Sequence, residues 1–548
     1  MLENGTSQLN NGSEPMEPTQ IVTEPTRTVT EPTRVVTDPH QNGNSKVLKR
    51  LETVPDIKRD TSGVTSQYVA VGIVNLGAFC AGMCVAWASM ALPLLTSGHT
   101  NARPLQVERV SGLSEYGESL HPRLVLSDSE ASWATSLLCL GALVGSVPAG
   151  LISEYFGRKK TLLYLALPLL ISWILVGSSP NVYGLYLGRF VGGVAVGAFS
   201  VAIPPYVADI TEKELLGGLV NIYHMMFSCG VLFGYIIGLI PNATWLYVVC
   251  ASWPLIFFIA FVFLPESPAY LLTQGKHGEA TAALRYFRGI DNDIDEELRS
   301  IKEHLRNYTK TKITFKELFT NVAILKAMVV SFGLMVFQQL SGIYPILFYA
   351  ESVFRTFSIP LNPTSATIIL GFFFVTSTYF STMLLNRIRR RFMLMLSFMT
   401  MAVSIGALAV YYHLRASNLS SGSTWVVLLT LCIFVSAYAA GAGPIPWLML
   451  REIFPSNATR RATAITVGFH WFLAFCVSKL YQNLVEVIRP GWTFSHYAIM
   501  CIIGTVFVYF FVPETKGRTL REIQNDFAGI PSIKRHRHVI EVESFSDI

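Results

Sequence analysis

Gln338 and Gln339 stand side by side in an otherwise apolar run, Val336-Phe337-Gln338-Gln339-Leu340-Ser341-Gly342-Ile343-Tyr344-Pro345. An amide inside an apolar helix is costly unless its groups find partners. It donates and accepts at once, which matches a hydroxyl on a neutral polyol. Gly342 and Pro345 invite a break here, which frees backbone groups for a ligand. Bonding between helices is the alternative use of the two amides. A second segment, Gly441-Ala442-Gly443-Pro444-Ile445-Pro446-Trp447, carries two prolines, so a deformable, gate-like stretch is expected. Trp447 offers a flat apolar surface and one N–H donor, which suits the C–H face of a sugar ring. Packing or anchoring at a membrane interface is its plainer role.

Charged clusters lie at the ends of apolar runs: Glu154 with Arg158, Asp209, Glu266, Glu452 with Arg460 and Arg461, and Glu514 with Lys516. Such groups can form ion pairs that close one side of a passage and break when it opens. As solvated helix ends they would contribute little. Arg189 is the main charge inside an apolar run, and no acid partner is evident. The run from Val69 to Leu95 has no carboxylate, whereas proton coupling calls for buried ones. All eight cysteines lie in apolar runs, and no Cys-x-x-Cys or Cys/His cluster suggests a metal. No cofactor is implied. Neither a nucleophile–base pair nor a phosphate-cradling glycine loop appears, so an enzyme is not expected.

The elements that must position these residues are membrane spans. Of 548 residues, 51% are hydrophobic and only 14% charged, too few charges for the surface of a soluble fold of this length. The net charge of +6 suits basic cytosolic loops better than a nucleic-acid partner. Apolar runs of about 20 residues span a bilayer as helices. Twelve are expected, near 68–95, 131–152, 161–178, 182–205, 217–240, 243–264, 324–350, 364–385, 392–413, 424–450, 461–486 and 492–512. The expected class is an all-α membrane protein. A six-helix bundle over 67–264 and another over 324–513 would flank a polar cytosolic linker with short helices at 265–323. Residues 1–66, with a repeated Thr-Glu-Pro-Thr-Arg, read as a disordered cytosolic tail without a signal peptide, and 514–548 as a second tail. Glycines spaced by four (Gly141 and Gly145; Gly188, Gly192, Gly193 and Gly197; Gly230, Gly234 and Gly238) let helix backbones approach closely.

Arg158, Lys159 and Lys160 follow the second span, and Arg387, Arg389, Arg390 and Arg391 the eighth. Positive loops stay in the cytosol, so both termini are expected there. The sequons at Asn242 and Asn418 would then face outward as glycosylation candidates, and those at Asn307 and Asn457 would not. The plasma membrane is the default location.

Several of these pieces together resemble a sugar porter of the major facilitator superfamily, nearest to the facilitated trehalose transporter-like branch. They are Glu154-Tyr155-Phe156-Gly157-Arg158-Lys159, Gly188-Arg189, Pro265-Glu266-Ser267-Pro268, Gln338-Gln339-Leu340-Ser341-Gly342, Gly443-Pro444-Ile445-Pro446-Trp447 and Pro513-Glu514-Thr515-Lys516-Gly517. The resemblance runs from about residue 68 to 523. It implies two six-helix bundles around a central sugar site. Gln338 and Gln339 match sugar-bonding glutamines, Trp447 a tryptophan beside the site, and Arg158, Glu266 and Glu452 an inner charge network.

The chain departs from that pattern in several places. Tyr344 stands for an asparagine, His224 for a glutamine, Phe374 for a polar residue, and His470, before Trp471, for another asparagine. Asp209 replaces a glutamate, Leu216 an arginine, and Thr459 an arginine beside Arg460 and Arg461. The site has exchanged amides for rings, which removes hydroxyl partners and narrows the cavity. The expected function is facilitated diffusion of a small neutral solute, a sugar or polyol, by a monomer in the lipid bilayer. A proton-coupled symporter and a non-transporting solute sensor are the rivals.

Overall fold

The computed structural model describes residues 61–96, 124–240, 243–289, 294–310, 315–356, 361–385, 387–417 and 425–530. The sequons at Asn242 and Asn418, and the repeats before residue 61, lie outside these. Among the described residues the fold is helical throughout, with no strand. The first bundle comprises α1 (Thr61–Thr96), α2 (Asp128–Phe156), α3 (Arg158–Tyr164) running into α4 (Ala166–Ser178), α5 (Val182–Ile210), α6 (Lys213–Leu219) running into α7 (Ile222–Ile237), and α8 (Ala243–Val262). Four short helices bridge to the second bundle: α9 (Pro268–Thr273), α10 (His277–Arg288), α11 (Ile294–Lys310) and α12 (Phe315–Thr320). The second bundle comprises α13 (Val322–Leu340) and α14 (Ile343–Thr356), α15 (Pro363–Leu385), α16 (Arg390–Ala416), and α17 (Trp425–Ala437). A π turn over Tyr438–Ala442 joins α17 to α18 (Pro444–Glu452), and α19 (Ser456–Phe511) and α20 (Leu520–Ala528) follow.

Eleven of these stretches are long and apolar enough to cross a membrane. The last, α19, has non-helical backbone at Arg489 (φ 68°, ψ 156°) just before Pro490. At 1.5 Å per residue it would run to about 80 Å, far beyond one bilayer. It is therefore two spans joined at Arg489, which makes twelve crossings. Outward-facing side chains such as Phe263, Val403, Leu429 and Phe510 are exposed hydrophobics, as lipid contact requires.

Close backbone approach decides the strongest helix pair. A Cβ on Gly145 of α2 would lie 2.0 Å from the Val194 carbonyl oxygen of α5, and one on Gly197 of α5 would lie 2.0 Å from that of Ala142 on α2. Only glycine permits this separation. Between bundles, α2 packs on α19, α7 on α15, and α1 on α14. Residues 61–66, expected in the tail, already belong to α1, and α20 is a helix within the expected second tail. Its Thr519–Glu522 capping box explains why it starts there.

Candidate functional site

The break expected after Gln339 exists. Helix α13 ends at Leu340, α14 restarts at Ile343, and Gly342 between them has φ +84°. The Tyr497 ring would meet a Cβ there at 2.5 Å, so neither conformation nor space admits a larger residue. This turn carries Tyr344 into the interface between the bundles. There it meets a chamber of about 40 Å³, to which α5 and α7 contribute Ser200, Tyr223, His224 and Phe227. The second bundle contributes Tyr344, Phe374, Thr378, Tyr438, Trp447, His470 and Trp471, with backbone of the π turn. Nine of its fourteen lining residues are aromatic and none carries a carboxylate, so flat ring faces dominate it, and the rings offer polar atoms only at their edges. The rings brace one another: His470 lies 5.0 Å from Trp447 and 5.2 Å from Trp471, both edge-on, and His224 lies 6.1 Å from Trp447. Trp471 Nε1 donates to Ser200 Oγ across the bundles at 3.4 Å.

Gln338 and Gln339 do not line this chamber, which corrects the expectation that they face a ligand. Gln338 Nε2 donates to the carbonyls of Ala442 at 2.7 Å and Gly443 at 3.0 Å. The reason is local. In a helix the Ala442 carbonyl would accept from the N–H four residues on, but that residue is Pro446 and has none. The same vacancy arises at Ala440 opposite Pro444, and Ser381 Oγ fills it at 2.9 Å. Gln339 Nε2 lies 3.0 Å from His470 Nδ1, so Gln339 reaches the chamber only through that ring. The carbonyl oxygens of both amides are buried without a partner. The groups freed at the 340–343 break bond locally, with Gly342 N–H donating to the Gln339 carbonyl and Ile346 N–H to that of Gly342.

The chamber is the blind end of a larger vestibule of about 670 Å³. Ser200, Tyr223, His224, Pro444 and Trp447 border both spaces. The vestibule opens between the bundles on the face that carries Arg158, Arg288 and Arg460, here called the basic face. The opposite face is shut. Ser132 Oγ donates to the Lys479 carbonyl at 3.1 Å, Glu351 N–H to Ser89 Oγ at 3.1 Å, and Tyr235 Oη to the Leu347 carbonyl at 2.8 Å. Each of these bonds joins one bundle to the other. Arg189 lies buried in the first bundle, where it donates to the carbonyls of Ala134 at 3.1 Å and Cys84 at 2.8 Å. Its guanidinium stacks 4.4 Å over Trp87, and carbonyls and a ring take the place of a carboxylate.

Residues 64–527 match the family model described as sugar (and other) transporter. The chain belongs to this family. A facilitated trehalose transporter of Bombyx mori is 36% identical over 73% of this chain and 80% of its own length. One of Polypedilum vanderplanki is 32% identical over 74% of this chain and 81% of its own. Among solved structures, the xylose transporter XylE from E. coli, in a partially occluded inward-open conformation, superposes with a TM-score of 0.67. It is 24% identical, with 83% of this chain and all of that chain covered, which speaks for the fold alone.

The charges at the basic face form two matching sets rather than the neighbour pairs expected from sequence. In the first bundle Arg158 pairs with Asp209 at 2.8 Å, and Glu266 accepts the Lys159 N–H at 2.8 Å, at the start of α3. In the second, Arg390 pairs with Glu452 at 3.2 Å, and Glu514 accepts the N–H groups of Arg390 and Arg391, at the start of α16. A carboxylate on exposed N–H groups at a helix start is favoured by the helix dipole. Glu154 does not pair with Arg158, nor Glu452 with Arg460. Instead Arg460 bonds Glu154 directly, from α19 to α2, and bridges the bundles. Outside the membrane, burial and then the Glu266 carboxylate push the Tyr270 phenol above its ordinary range, and its hydroxyl donates to the Tyr155 carbonyl at 3.1 Å.

The structure brings Tyr344, His224, Trp447, His470 and Trp471 together. Reading the sequence missed Ser200, Tyr223, Tyr438 and Arg451. Tyr438 was legible in principle, three residues before the segment already marked as deformable. Arg451 reaches the vestibule wall and makes no hydrogen bond among the described residues, and nothing in its spacing signals this.

Proposed function

We propose that this chain carries a small neutral solute, a sugar or polyol, across the membrane by facilitated diffusion, its bundles rocking about the ring-lined chamber. The observation that carries the reading is a chamber at the bundle interface that is open through a vestibule on one face and sealed by inter-bundle bonds on the other. Such one-sided access is what alternating access requires. Flat rings suit the C–H faces of a sugar, and Ser200, Thr378, the two imidazoles and the hydroxyls of Tyr223, Tyr344 and Tyr438 are among the hydroxyl partners available. The names of the trehalose-transporting relatives support a sugar. At about 40 Å³ the chamber holds roughly three waters, so solute occupies it only after the bundles part further. This favours a monosaccharide or polyol over a disaccharide.

Arg189 bonded to carbonyls, with no carboxylate on the chamber wall, supports uniport over proton symport. The basic face is the cytosolic one, with both termini on that side and the plasma membrane as the site of action. No covalent step is part of this function. Flux of radiolabelled glucose, sorbitol and trehalose into liposomes holding the purified chain tests the reading. Uptake of at least one of them, unchanged by an imposed pH gradient, is expected. Acid-stimulated accumulation would overturn uniport, and binding without flux would overturn transport.

A further inference from the structure

A second large cavity, apart from the vestibule, is a groove of about 800 Å³ on the outside of the second bundle. Helices α15 and α16 both pack on α17 and the π turn but scarcely on each other, so a slot stays open between them with α17 as its floor. Phe373, Phe380, Leu384, Phe392, Leu396 and Leu429 form its walls, and all six are exposed. From residue 369 to residue 384 the wall on α15 runs about 22 Å at helical rise. One leaflet of hydrocarbon is about 15 Å deep, so the slot accommodates the length of an acyl chain.

The charge at one end makes the slot more than lipid boundary. Ile388 lines the groove, and Arg387 and Arg389 on either side of it are exposed. Neither makes an ion pair among the described residues: Glu452 pairs with Arg390, and Glu514 accepts the backbone N–H groups of Arg390 and Arg391. Two free guanidiniums at the mouth of an apolar slot complement a phosphodiester above its acyl chain. The floor is the back of the proline-bearing segment. Ser381 and Ser397 line the groove, and they also bond the carbonyls of Ala440 at 2.9 Å and Ala437 at 2.6 Å.

We propose that this groove binds an anionic diacyl phospholipid, its chain along α15 and α17 and its headgroup on Arg387 and Arg389. The bound chain lies directly behind the π turn that supports Trp447. This inference does not depend on which solute is carried.

The test uses the full chain with Leu396→Trp as a reporter in the groove, reconstituted in phosphatidylcholine bilayers. Brominated phosphatidylglycerol or brominated phosphatidylcholine is titrated in as a quencher, and the unsubstituted chain supplies the background from its own tryptophans. Half-quenching by the anionic lipid is expected at a mole fraction about tenfold lower than by the neutral one. Arg387→Gln with Arg389→Gln should bring the two curves together, while solute flux and unfolding temperature show that the variant is folded. Equal quenching by both lipids would mean an ordinary bilayer boundary and overturn the site. Quenching by neither would mean that another protein surface covers the groove, and would overturn it too. A preference that survives the double substitution would overturn the headgroup assignment. Should the double variant fail to fold, the two titrations on the L396W chain decide by themselves.

Discussion

Gln338 acts on the backbone of another helix, and that role follows from two prolines more than a hundred residues away in sequence. Pro446 leaves the Ala442 carbonyl without its helical donor, and the Gln338 amide supplies one. Replacing it by leucine strands a buried acceptor, at a cost of about 1–3 kcal/mol. Gln338→Leu should therefore lower the unfolding temperature of the purified chain, and Gln338→Met, which keeps the side-chain length but has no donor, should lower it as well. Unchanged stability in Gln338→Leu would show that the bond is dispensable. Trp447 belongs to the chamber instead. A ring contact contributes about 0.5–1.5 kcal/mol beyond its burial, so Trp447→Ala should raise the half-saturating solute concentration up to about tenfold. Trp447→Phe should retain most of the affinity, and equal losses in both would point to the indole N–H. The sequence made the residue types legible here but not their directions. An amide in an apolar run must find a partner, and whether that partner is solute or backbone depends on which carbonyls the prolines orphan after the helices have packed.

Helices were the most legible scale, because apolar runs in lipid have few other options. Every expected span has a helix over it, and the break at Gly342 and the irregular segment before Pro444 fall where Gly and Pro placed them. What spacing could not give was which charged ends meet. The Asp209, Arg158 and Glu266 set and the Glu452, Arg390 and Glu514 set recur in the two bundles, each tying a short loop between spans to a later helix end. Their members lie dozens of residues apart, so neighbours in sequence are poor guides to pairing. The glycine rows were legible as close-packing faces, and their partners were not. Because a Cβ at Gly197 would fall 2.0 Å from a backbone oxygen, Gly197→Leu cannot be absorbed by a side-chain shift. Separating α2 from α5 should abolish the peak of folded protein in gel filtration. Gly218→Leu, at a glycine with open space around it, should leave the peak intact. A folded Gly197→Leu would show that the two helices have room to spare.

For the whole molecule the question is what holds one access state against the other. On the sealed face the bundles meet through hydrogen bonds at Ser132, Glu351 and Tyr235, two of them to backbone carbonyls. On the basic face, beside the open vestibule, Arg460 and Glu154 join α19 to α2. That pair is about one-third exposed on each side, so it contributes no more than about 1 kcal/mol. Even so, 1 kcal/mol changes the ratio of two states roughly fivefold, enough to tune a balanced equilibrium. The pair restrains the vestibule from opening wider. Glu154→Gln or Arg460→Gln should each shift the population toward a wider basic face by up to about fivefold. Spin labels on the basic-face ends of α2 and α19 would report this as growth of the longer distance. Glu154→Arg combined with Arg460→Glu restores the attraction with its sign exchanged, so the distance distribution should return toward that of the native chain. Distributions that do not respond to either single change would mean that the ion pair is solvated in the bilayer and that the sealed face alone sets the equilibrium.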